Sequence, residues 1–198
     1  MSNIIHRLWV RTHLKGVGFS DNHAKLDSLY MVKDPWHMES QKEQYRFNET
    51  NRLIQEWIGH VGTALEVGCG EGHQSLFLEK CCDHLYGIDV SKKAVRRAKK
   101  RSSMKKLAVN KGVGIKLMTS WPQTFDLVTL CEVAYYAKDP ELLLNDSINI
   151  GKHIFITYFE ARSERLDPIV EKLPIIKSSK IAFEETSWKV FLCQGKLK

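Results

Sequence analysis

The sequence contains no long apolar run. No stretch approaches the roughly 18 consecutive apolar residues that a membrane-spanning helix needs. The first residues mix basic with apolar side chains, whereas a secretory signal has a basic start, an unbroken apolar stretch and small residues at its cleavage site. We therefore expect neither an integral membrane protein nor a secreted one.

The arrangement of the cysteines does not suit cross-linking. The five cysteines are odd in number, two of them are adjacent, and none forms a C-x-x-C pair. Neither a disulfide framework nor a zinc site is expected, and a reducing cytoplasm fits this usage best. Internal repeats and low-complexity linkers are also missing, so the 198 residues correspond to about one domain.

The charge is mildly basic. A formal net charge of +7 permits an acidic partner without requiring one. Much of the excess is concentrated in residues 92–106. This basic run is either a solvated helix face or a site for phosphates, which leaves nucleic acid, anionic lipid and acidic polysaccharide open as partners. Nucleic acid is not favoured, because no aromatic residues for base stacking are interleaved.

Short apolar runs alternate with helical patterns from residue 61 onward. Runs that are apolar on both faces are typical of parallel strands covered by helices. The last two strands lie close together in sequence and must pair antiparallel, because a parallel crossover needs a dozen or more residues. We predict an α/β fold with a mostly parallel seven-stranded sheet, an antiparallel C-terminal hairpin and helices on both faces. The predicted strands are 63–67, 84–88, 113–117, 125–131, 153–159, 180–183 and 188–192, and the predicted helices are 39–58, 73–81, 91–101, 163–173 and one beginning at 139–141.

The sharpest local signal is the turn E-V-G-C-G-E-G at 66–72, after the first predicted strand. Glycines there let the backbone turn tightly and approach a ligand, and the following helix N-terminus favours a negative group. Asp89 ends the next strand, where a carboxylate accepts hydrogen bonds from the two ribose hydroxyls of a nucleoside. A dinucleotide fingerprint would need glycine in place of His73, which argues against NAD. The alternative is an ordinary strand-to-helix turn.

The spacing E-x-G-x-G-x-G resembles motif I of the class I S-adenosylmethionine (SAM)-dependent methyltransferases. The resemblance implies a Rossmann-like fold, SAM as the methyl donor and S-adenosylhomocysteine (SAH) as the product. It assigns the ribose to Asp89 and the methionine part of SAM to the glycine turn. The cofactor-binding residues expected on this basis are Trp36, Arg46, Glu66, Gly68, Cys69, Gly70, His73, Asp89, Val90, Thr119, Ser120, Cys131 and Glu132.

The segment F-D-L-V-T-L-C-E-V-A-Y-Y at 125–136 resembles a second motif of the same family. The resemblance implies that Glu132 lies near the transferred methyl group, so Glu132 and Tyr135 are the catalytic candidates. His37 and His153 are further candidates for a general base. No carboxylate cluster indicates a metal. The candidate acceptor-binding residues are Tyr30, Trp36, Tyr135 and Tyr136, although the last two would equally cap the core.

One segment departs from the family pattern. Many relatives carry an acid just after the third strand, near the adenine amino group, whereas residues 117–122 are L-M-T-S-W-P. Adenine contacts are therefore expected from the backbone or from Thr119 and Ser120. Trp121 would either stack on the adenine ring or anchor the core.

Residues 1–60 are expected to form a helical lid and substrate segment, and residues 61–198 the SAM-binding core of a single domain. Asp-Pro-Trp at 34–36, ahead of a long polar helix, resembles a narrower group, the nodulation protein S-like (NodS-like) methyltransferases, which methylate the nitrogen of a chito-oligosaccharide precursor. Trp36 and Tyr30 would then shield the sulfonium from water. Residues 4–15 form a basic amphipathic pattern that would contact a membrane surface, its own domain or a dimer partner.

Together these patterns predict a cytoplasmic SAM-dependent methyltransferase whose acceptor is a sugar or small glycan, modified on nitrogen or oxygen. Two alternatives stay open. One is an RNA or protein methyltransferase that uses the basic run 92–106, and the other is a SAM-binding partner subunit without catalysis. A location at the inner membrane surface is an alternative to the free cytoplasm.

Overall fold

The computed structural model describes Thr12 and residues 22–101, 106–110 and 114–197. Seven strands within these ranges form one sheet in the order β3-β2-β1-β4-β5-β7-β6. The strands are β1 (Val61–Val67), β2 (Cys82–Asp89), β3 (Lys106–Val109), β4 (Phe125–Cys131), β5 (Gly151–Phe159), β6 (Ile175–Phe183) and β7 (Thr186–Gln194). The α-helices are α1 (His23–Leu29), α2 (Gln41–Trp57), α3 (Ser75–Leu78), α4 (Lys92–Arg101), α5 (Pro140–Ile150) and α6 (Asp167–Val170), and short 3-10 helices cover Ala134–Tyr136 and Glu160–Arg162.

The strand directions confirm the predicted architecture. Strands β1 to β5 pair in parallel, and β7 pairs antiparallel with both β5 and β6. The chain proceeds outward from β1 to β3 on one side and from β4 to β5 on the other, where β6 forms the edge and β7 inserts between β5 and β6. The strand order therefore reverses between β1 and β4, and open α/β sheets bind ligands at the carboxyl ends of strands at such a switch point.

The sheet separates two apolar cores, because successive strand residues point to opposite faces. In β4, Leu127 belongs to the core that Ile54 of α2 and Ala98 of α4 complete. Its neighbour Val128 belongs to the other core, with Leu144 of α5. Helices therefore cover both faces of the sheet, as predicted.

Two helix starts follow from local side-chain capping. The Ser40 side chain accepts a hydrogen bond of 3.4 Å from the Glu43 amide at the start of α2. Asp139 accepts one of 2.8 Å from the Leu142 amide at the start of α5, where Pro140 occupies the first turn. Each cap satisfies an amide that has no partner inside the helix, which confirms the predicted start near 139–141.

The predicted third strand at 113–117 is wrong. The third strand is Lys106–Val109, which pairs in parallel with β2 at the edge of the sheet. Ile115 and Leu117 supply the apolar pattern, but they pack against the second core from an irregular segment. The Ile115 amide donates to Asp146 Oδ2 at 2.9 Å instead of to a strand. A four-residue edge strand with one neighbour needs no strong apolar run, so its sequence signal is weak.

Two predicted helices are shorter than expected. Helix 73–81 reduces to α3, because the glycine turn continues to Gln74 before the helix begins. Helix 163–173 reduces to α6, because Pro168 has no amide hydrogen and is accommodated only in the first turn. The amphipathic segment predicted at 4–15 lies outside the described residues except for Thr12.

Candidate active site

A cavity of about 270 Å³ opens at the carboxyl ends of β1, β2 and β4. Its floor consists of the glycine turn after β1, the end of β2 and the residues that follow β4. Its cover comes from α1, from the start of α2 and from the segment between them. The cavity therefore lies at the switch point that the strand order defines.

The glycine turn requires glycine for two reasons. Gly68 has a φ of +76°, a left-handed conformation that favours glycine. A Cβ atom added there would lie 2.6 Å from Cγ2 of Val133, which is too close. Gly70 also has a positive φ, of +53°, and its added Cβ would lie 3.1 Å from the Tyr30 hydroxyl. The turn thus brings bare backbone to the cavity wall.

Asp89 links the end of β2 to this turn. Its Oδ2 accepts a hydrogen bond of 2.9 Å from the Gly70 amide, and its Oδ1 accepts one of 2.8 Å from the Ser91 amide. The side chain is buried and lines the cavity. Burial raises the pKa of Asp89 to about 6, although the two amides counteract the shift. The carboxylate is therefore mainly ionised at neutral pH and fixed in direction.

Glu66 is a second buried carboxyl in the floor. It accepts a hydrogen bond from the Ser75 hydroxyl at the start of α3. Burial raises the pKa of Glu66 to about 8, against the opposing effect of that hydrogen bond. Glu66 is therefore largely protonated at neutral pH, unlike Asp89.

Glu132 follows β4 in a left-handed conformation, with φ at +60°. A non-glycine residue in that region costs about 1–3 kcal/mol, and such strain is concentrated at functional sites. The Tyr135 hydroxyl donates to Glu132 Oε2 at 3.0 Å, and Oε1 is buried with no hydrogen-bond partner among the described residues. Burial raises the pKa of Glu132 to about 7, although Arg46 and Tyr135 lower it. A carboxyl with that pKa exchanges protons readily near neutral pH.

Arg46 of α2 reaches the cavity from the opposite side and is 1% exposed. Its Nε donates to Glu43 Oε2 at 2.8 Å, and its Nη1 donates to Gln74 Oε1 at 3.1 Å. Burial alone would lower the pKa of Arg46, but Glu43, Glu132 and Cys131 outweigh it, so the pKa is raised. The amide nitrogen of Gln74 is buried without a partner among the described residues. The pair therefore presents donor groups to the cavity.

We call residues 30–39 the cover segment. Trp36 Nε1 donates to the Tyr30 hydroxyl at 3.2 Å, and the Trp36 ring lies 5.6 Å from that of Tyr136. Leu26 and Leu29 of α1 pack in a small apolar cluster with Trp36. These aromatic groups close the cavity on the side away from the sheet.

The structure brings together most of the residues predicted from sequence. The predicted residues that line the cavity are Tyr30, Trp36, Arg46, Glu66, Gly68, Cys69, Gly70, His73, Asp89, Val90, Cys131, Glu132, Tyr135 and Tyr136. Thr119 and Ser120 are exposed and do not line it, and neither do His37 and His153. Trp121 is a core anchor, since it is buried with its ring 5.2 Å from that of Tyr86.

The misplaced third strand explains the error at Thr119 and Ser120. With β3 ending at Val109, the position just after the third strand is Asn110, and both Asn110 and Gly114 line the cavity. Asn110 Nδ2 donates to the Gly114 carbonyl at 2.8 Å. An amide therefore occupies the position at which the family pattern has an acid. Gln74 and Glu71 also line the cavity, although they were not among the predicted site residues. The only sequence signal for them is a polar side chain in or directly after the glycine turn.

Sequence comparison connects this chain to nodulation protein S. A family model for nodulation protein S (NodS) matches residues 19–154. Nodulation protein S of Bradyrhizobium diazoefficiens is 31% identical over 126 residues, which make up 60% of this chain and 56% of that protein. Nodulation protein S of Sinorhizobium fredii is 34% identical over 121 residues, or 60% of this chain and 55% of that protein. The chain thus spans about half the length of these curated relatives.

Structural comparison agrees. The crystal structure of N-methyltransferase NodS from Bradyrhizobium japonicum WM9, in complex with SAH, superimposes with a TM-score of 0.72. The two chains are 21% identical, and the match covers 88% of this chain and 98% of the other. Together with the sheet order and the position of the cavity, this likeness defines the class: the fold is that of a Rossmann-like class I methyltransferase.

The particular family follows from the family model, which matches more than half of the chain. The chain belongs to the nodulation protein S (NodS) family. None of the helices in the described ranges has the length and apolar character of a membrane span. The same ranges contain no group of three or more His, Cys, Asp or Glu side chains placed to hold a metal ion.

Proposed function

We propose that this chain is a SAM-dependent methyltransferase that transfers a methyl group to nitrogen or oxygen of a sugar or small glycan. The observation that carries the proposal is Asp89, a buried and ionised carboxylate at the end of β2 that the Gly70 amide aims into the cavity. Such a carboxylate accepts hydrogen bonds from two hydroxyls on adjacent carbons, as in a ribose. Membership of the NodS family supports the same activity.

The residues of the cavity fit SAM. Asp89 would hold the ribose, and the bare backbone of the glycine turn would lie against the methionine part. Arg46 and Gln74 would hold the methionine carboxylate, since the Gln74 amide nitrogen has no acceptor among the described residues and Arg46 supplies positive charge. Asn110 would contribute adenine contacts, replacing our earlier assignment to Thr119 and Ser120. When bound, SAM supplies an activated methyl group on a sulfonium.

The chain would then align the methyl donor with the acceptor and take up the proton that the acceptor loses. Well-oriented reactants gain on the order of 7–11 kcal/mol in favourable intramolecular cases. Glu132, with a pKa of about 7 and a free buried oxygen, would accept the proton that an acceptor ammonium or hydroxyl must lose. Tyr135 fixes its direction through the 3.0 Å hydrogen bond. The comparison structure is an N-methyltransferase, which favours nitrogen.

The helical residues before β1 would act as a lid. Tyr30 and Trp36 of this segment, together with Tyr136 after β4, form an aromatic wall of the cavity, which suits both exclusion of water and stacking on a sugar ring. This role corresponds to the lid and substrate segment that the sequence predicts for residues 1–60. We also propose a cytoplasmic location, since the five cysteines are free thiols.

Calorimetric titration with SAH tests the cofactor site. Asp89→Ala removes two charge-assisted hydrogen bonds, so we expect SAH affinity to fall about 100-fold. Asp83→Ala is the matched control, because Asp83 lies near the other end of β2, exposed, and pairs with His60. Equal affinity of the wild type and Asp89→Ala would overturn the site assignment.

Radiolabelled methyl transfer from SAM tests the acceptor. We expect transfer to amino-sugar or chito-oligosaccharide acceptors by the purified chain. Transfer confined to RNA or to protein would establish the alternative that uses the basic run. Tight SAH binding without turnover on any acceptor would establish the non-catalytic partner subunit.

A further inference from the structure

The basic helix α4 turns one face towards the N-terminal part of the chain. Lys93, Arg97 and Arg101 are spaced four residues apart and so lie on the same side of the helix. Lys93 Nζ lies 3.3 Å from Asp27 Oδ2, and Arg101 Nη1 lies 3.4 Å from Glu39 Oε1. Both of these pairs are partly exposed, so solvent screening weakens each of them.

Arg97, between them, makes a different kind of contact. Its Nη2 donates to the Tyr30 carbonyl and its Nη1 to the Val32 carbonyl, both at 2.8 Å. Nη1 also pairs with Glu71 of the glycine turn, and Glu71 Oε2 accepts a hydrogen bond of 3.0 Å from the Asp34 amide. One guanidinium and one carboxylate therefore hold three backbone groups of the cover segment.

This arrangement connects the cover segment to the floor of the cavity. Glu71 lies between Gly70 and Gly72 and is 4% exposed. Burial would raise the pKa of Glu71, but His73, Arg97 and the Asp34 amide outweigh burial, so the pKa is lowered and the carboxylate stays charged. Glu71 is buried whereas Arg97 is partly exposed, so removal of Arg97 is costly because it leaves the buried carboxylate without its ionic partner.

Two of these three residues, Tyr30 and Asp34, also line the cavity. Tyr30 lies against Gly70 and bonds to Trp36, and both side chains line the cavity. A change at Arg97, outside the lining residues, would therefore move the aromatic wall without touching a ligand. The planar fork of arginine suits this role, since it reaches two carbonyls and a carboxylate at once, which a lysine ammonium on a flexible stem does less well.

We propose that Arg97, paired with Glu71, is a positioning residue that sets the affinity for SAM by holding the cover segment over the cavity. This inference rests on the proposed function, because SAM is the ligand it concerns. It also assigns a role to part of the basic run, which the sequence alone left as a solvated face or a phosphate site.

The test compares Arg97→Ala, Arg97→Lys and Glu71→Gln with the control Arg96→Ala, which removes an exposed arginine of the same helix. We expect about tenfold weaker SAH binding in Arg97→Ala, an intermediate loss in Arg97→Lys and no change in Arg96→Ala. KM for SAM should rise with kcat nearly unchanged, since the cover contributes equally to the ground state and the transition state.

Amide hydrogen exchange without ligand provides an independent measurement. We expect the Asp34 amide and its neighbours in residues 30–39 to exchange faster in Arg97→Ala and in Glu71→Gln, with the strands of the sheet unchanged. If both exchange and SAH affinity stay at wild-type values, the proposal is overturned. If the wild type fails to bind SAH, the proposed function is refuted, while the exchange data still decide whether Arg97 holds the cover segment.

Discussion

The floor and the cover of the cavity are built in different ways. The floor residues follow strands whose backbone is paired on both sides, as β1 is by β2 and β4. The cover segment has no strand neighbour, and its position depends on side-chain contacts such as those of Arg97 and Trp36. A turn at the end of a buried strand is fixed by the paired backbone of that strand. A segment held by a few side chains opens at lower free energy.

This difference assigns the two walls different tasks. In the floor, the sheet maintains the left-handed conformation of Glu132, which costs free energy in a non-glycine residue. The cover contributes mainly aromatic surface and the buried guanidinium of Arg46. We therefore expect substitutions in the floor to abolish binding or chemistry, and substitutions in the cover to weaken affinity by graded amounts.

The largest effect is expected for Gly68→Ala. The new Cβ atom would lie 2.6 Å from Val133 in a backbone conformation that costs a non-glycine residue about 1–2 kcal/mol. We expect SAH binding to fall below detection by calorimetry, with a lowered Tm. The control is Gly59→Ala, since Gly59 has a φ of +86° but no atom within 4 Å of the added Cβ. Normal SAH affinity in Gly68→Ala would show that the turn does not contact the ligand.

The next effect is expected for Glu132→Gln, on the chemical step. Removing a general base lowers kcat by about 10²- to 10⁴-fold. In the wild type, kcat should fall as the pH decreases through about 7, the pKa of Glu132, and this dependence should disappear in the variant. An unchanged pH profile would remove Glu132 from the proton transfer.

The same variant should lose activity but gain stability over the wild type at high pH. The unfolded carboxyl ionises near pH 4.3, whereas the folded one holds its proton to about pH 7, so the folded state binds more protons between these values. The wild type therefore loses stability as the pH rises through this window. At pH 8, the free energy of unfolding of Glu132→Gln should exceed that of the wild type by on the order of 1–3 kcal/mol. At pH 4 the difference should vanish. Denaturant unfolding at the two pH values measures it.

The smallest effect is expected in the cover, for Trp36. Trp36→Ala removes a half-buried ring and its 3.2 Å hydrogen bond to Tyr30, so SAH affinity should fall about tenfold with little change in Tm. Trp36→Phe keeps the ring and loses only the donor, so a loss of about threefold is expected. A loss in Trp36→Ala as large as that in Asp89→Ala would erase the distinction between floor and cover.

The accuracy of the sequence prediction follows the same division. The turn at 66–72 and Asp89 were predictable because their residue types and spacing are dictated by local backbone geometry. The third strand was misplaced because β3 is a short edge strand, and its apolar neighbours Ile115 and Leu117 pack without strand pairing. Because of that error, Thr119 and Ser120 were expected after the third strand, where the structure has Asn110.

The basic run shows a second limit of prediction from sequence. Its positive charge can be read directly from the sequence. The partners of Lys93, Arg97 and Arg101, however, lie 62–67 residues away or in the glycine turn. No local sequence pattern identifies such a distant partner. The strained conformation of Glu132 and the unpartnered nitrogen of Gln74 are likewise consequences of three-dimensional packing.

By itself, the sequence determined the α/β architecture, the glycine turn after the first strand, the acid that ends the second strand and the family, because these depend on periodicity and on short motifs. The tertiary structure alone decided where the third strand lies, which carboxyls are ionised and what holds the cover over the cavity. Those properties depend on burial and on contacts between distant segments, and neither of these exists until the chain has folded.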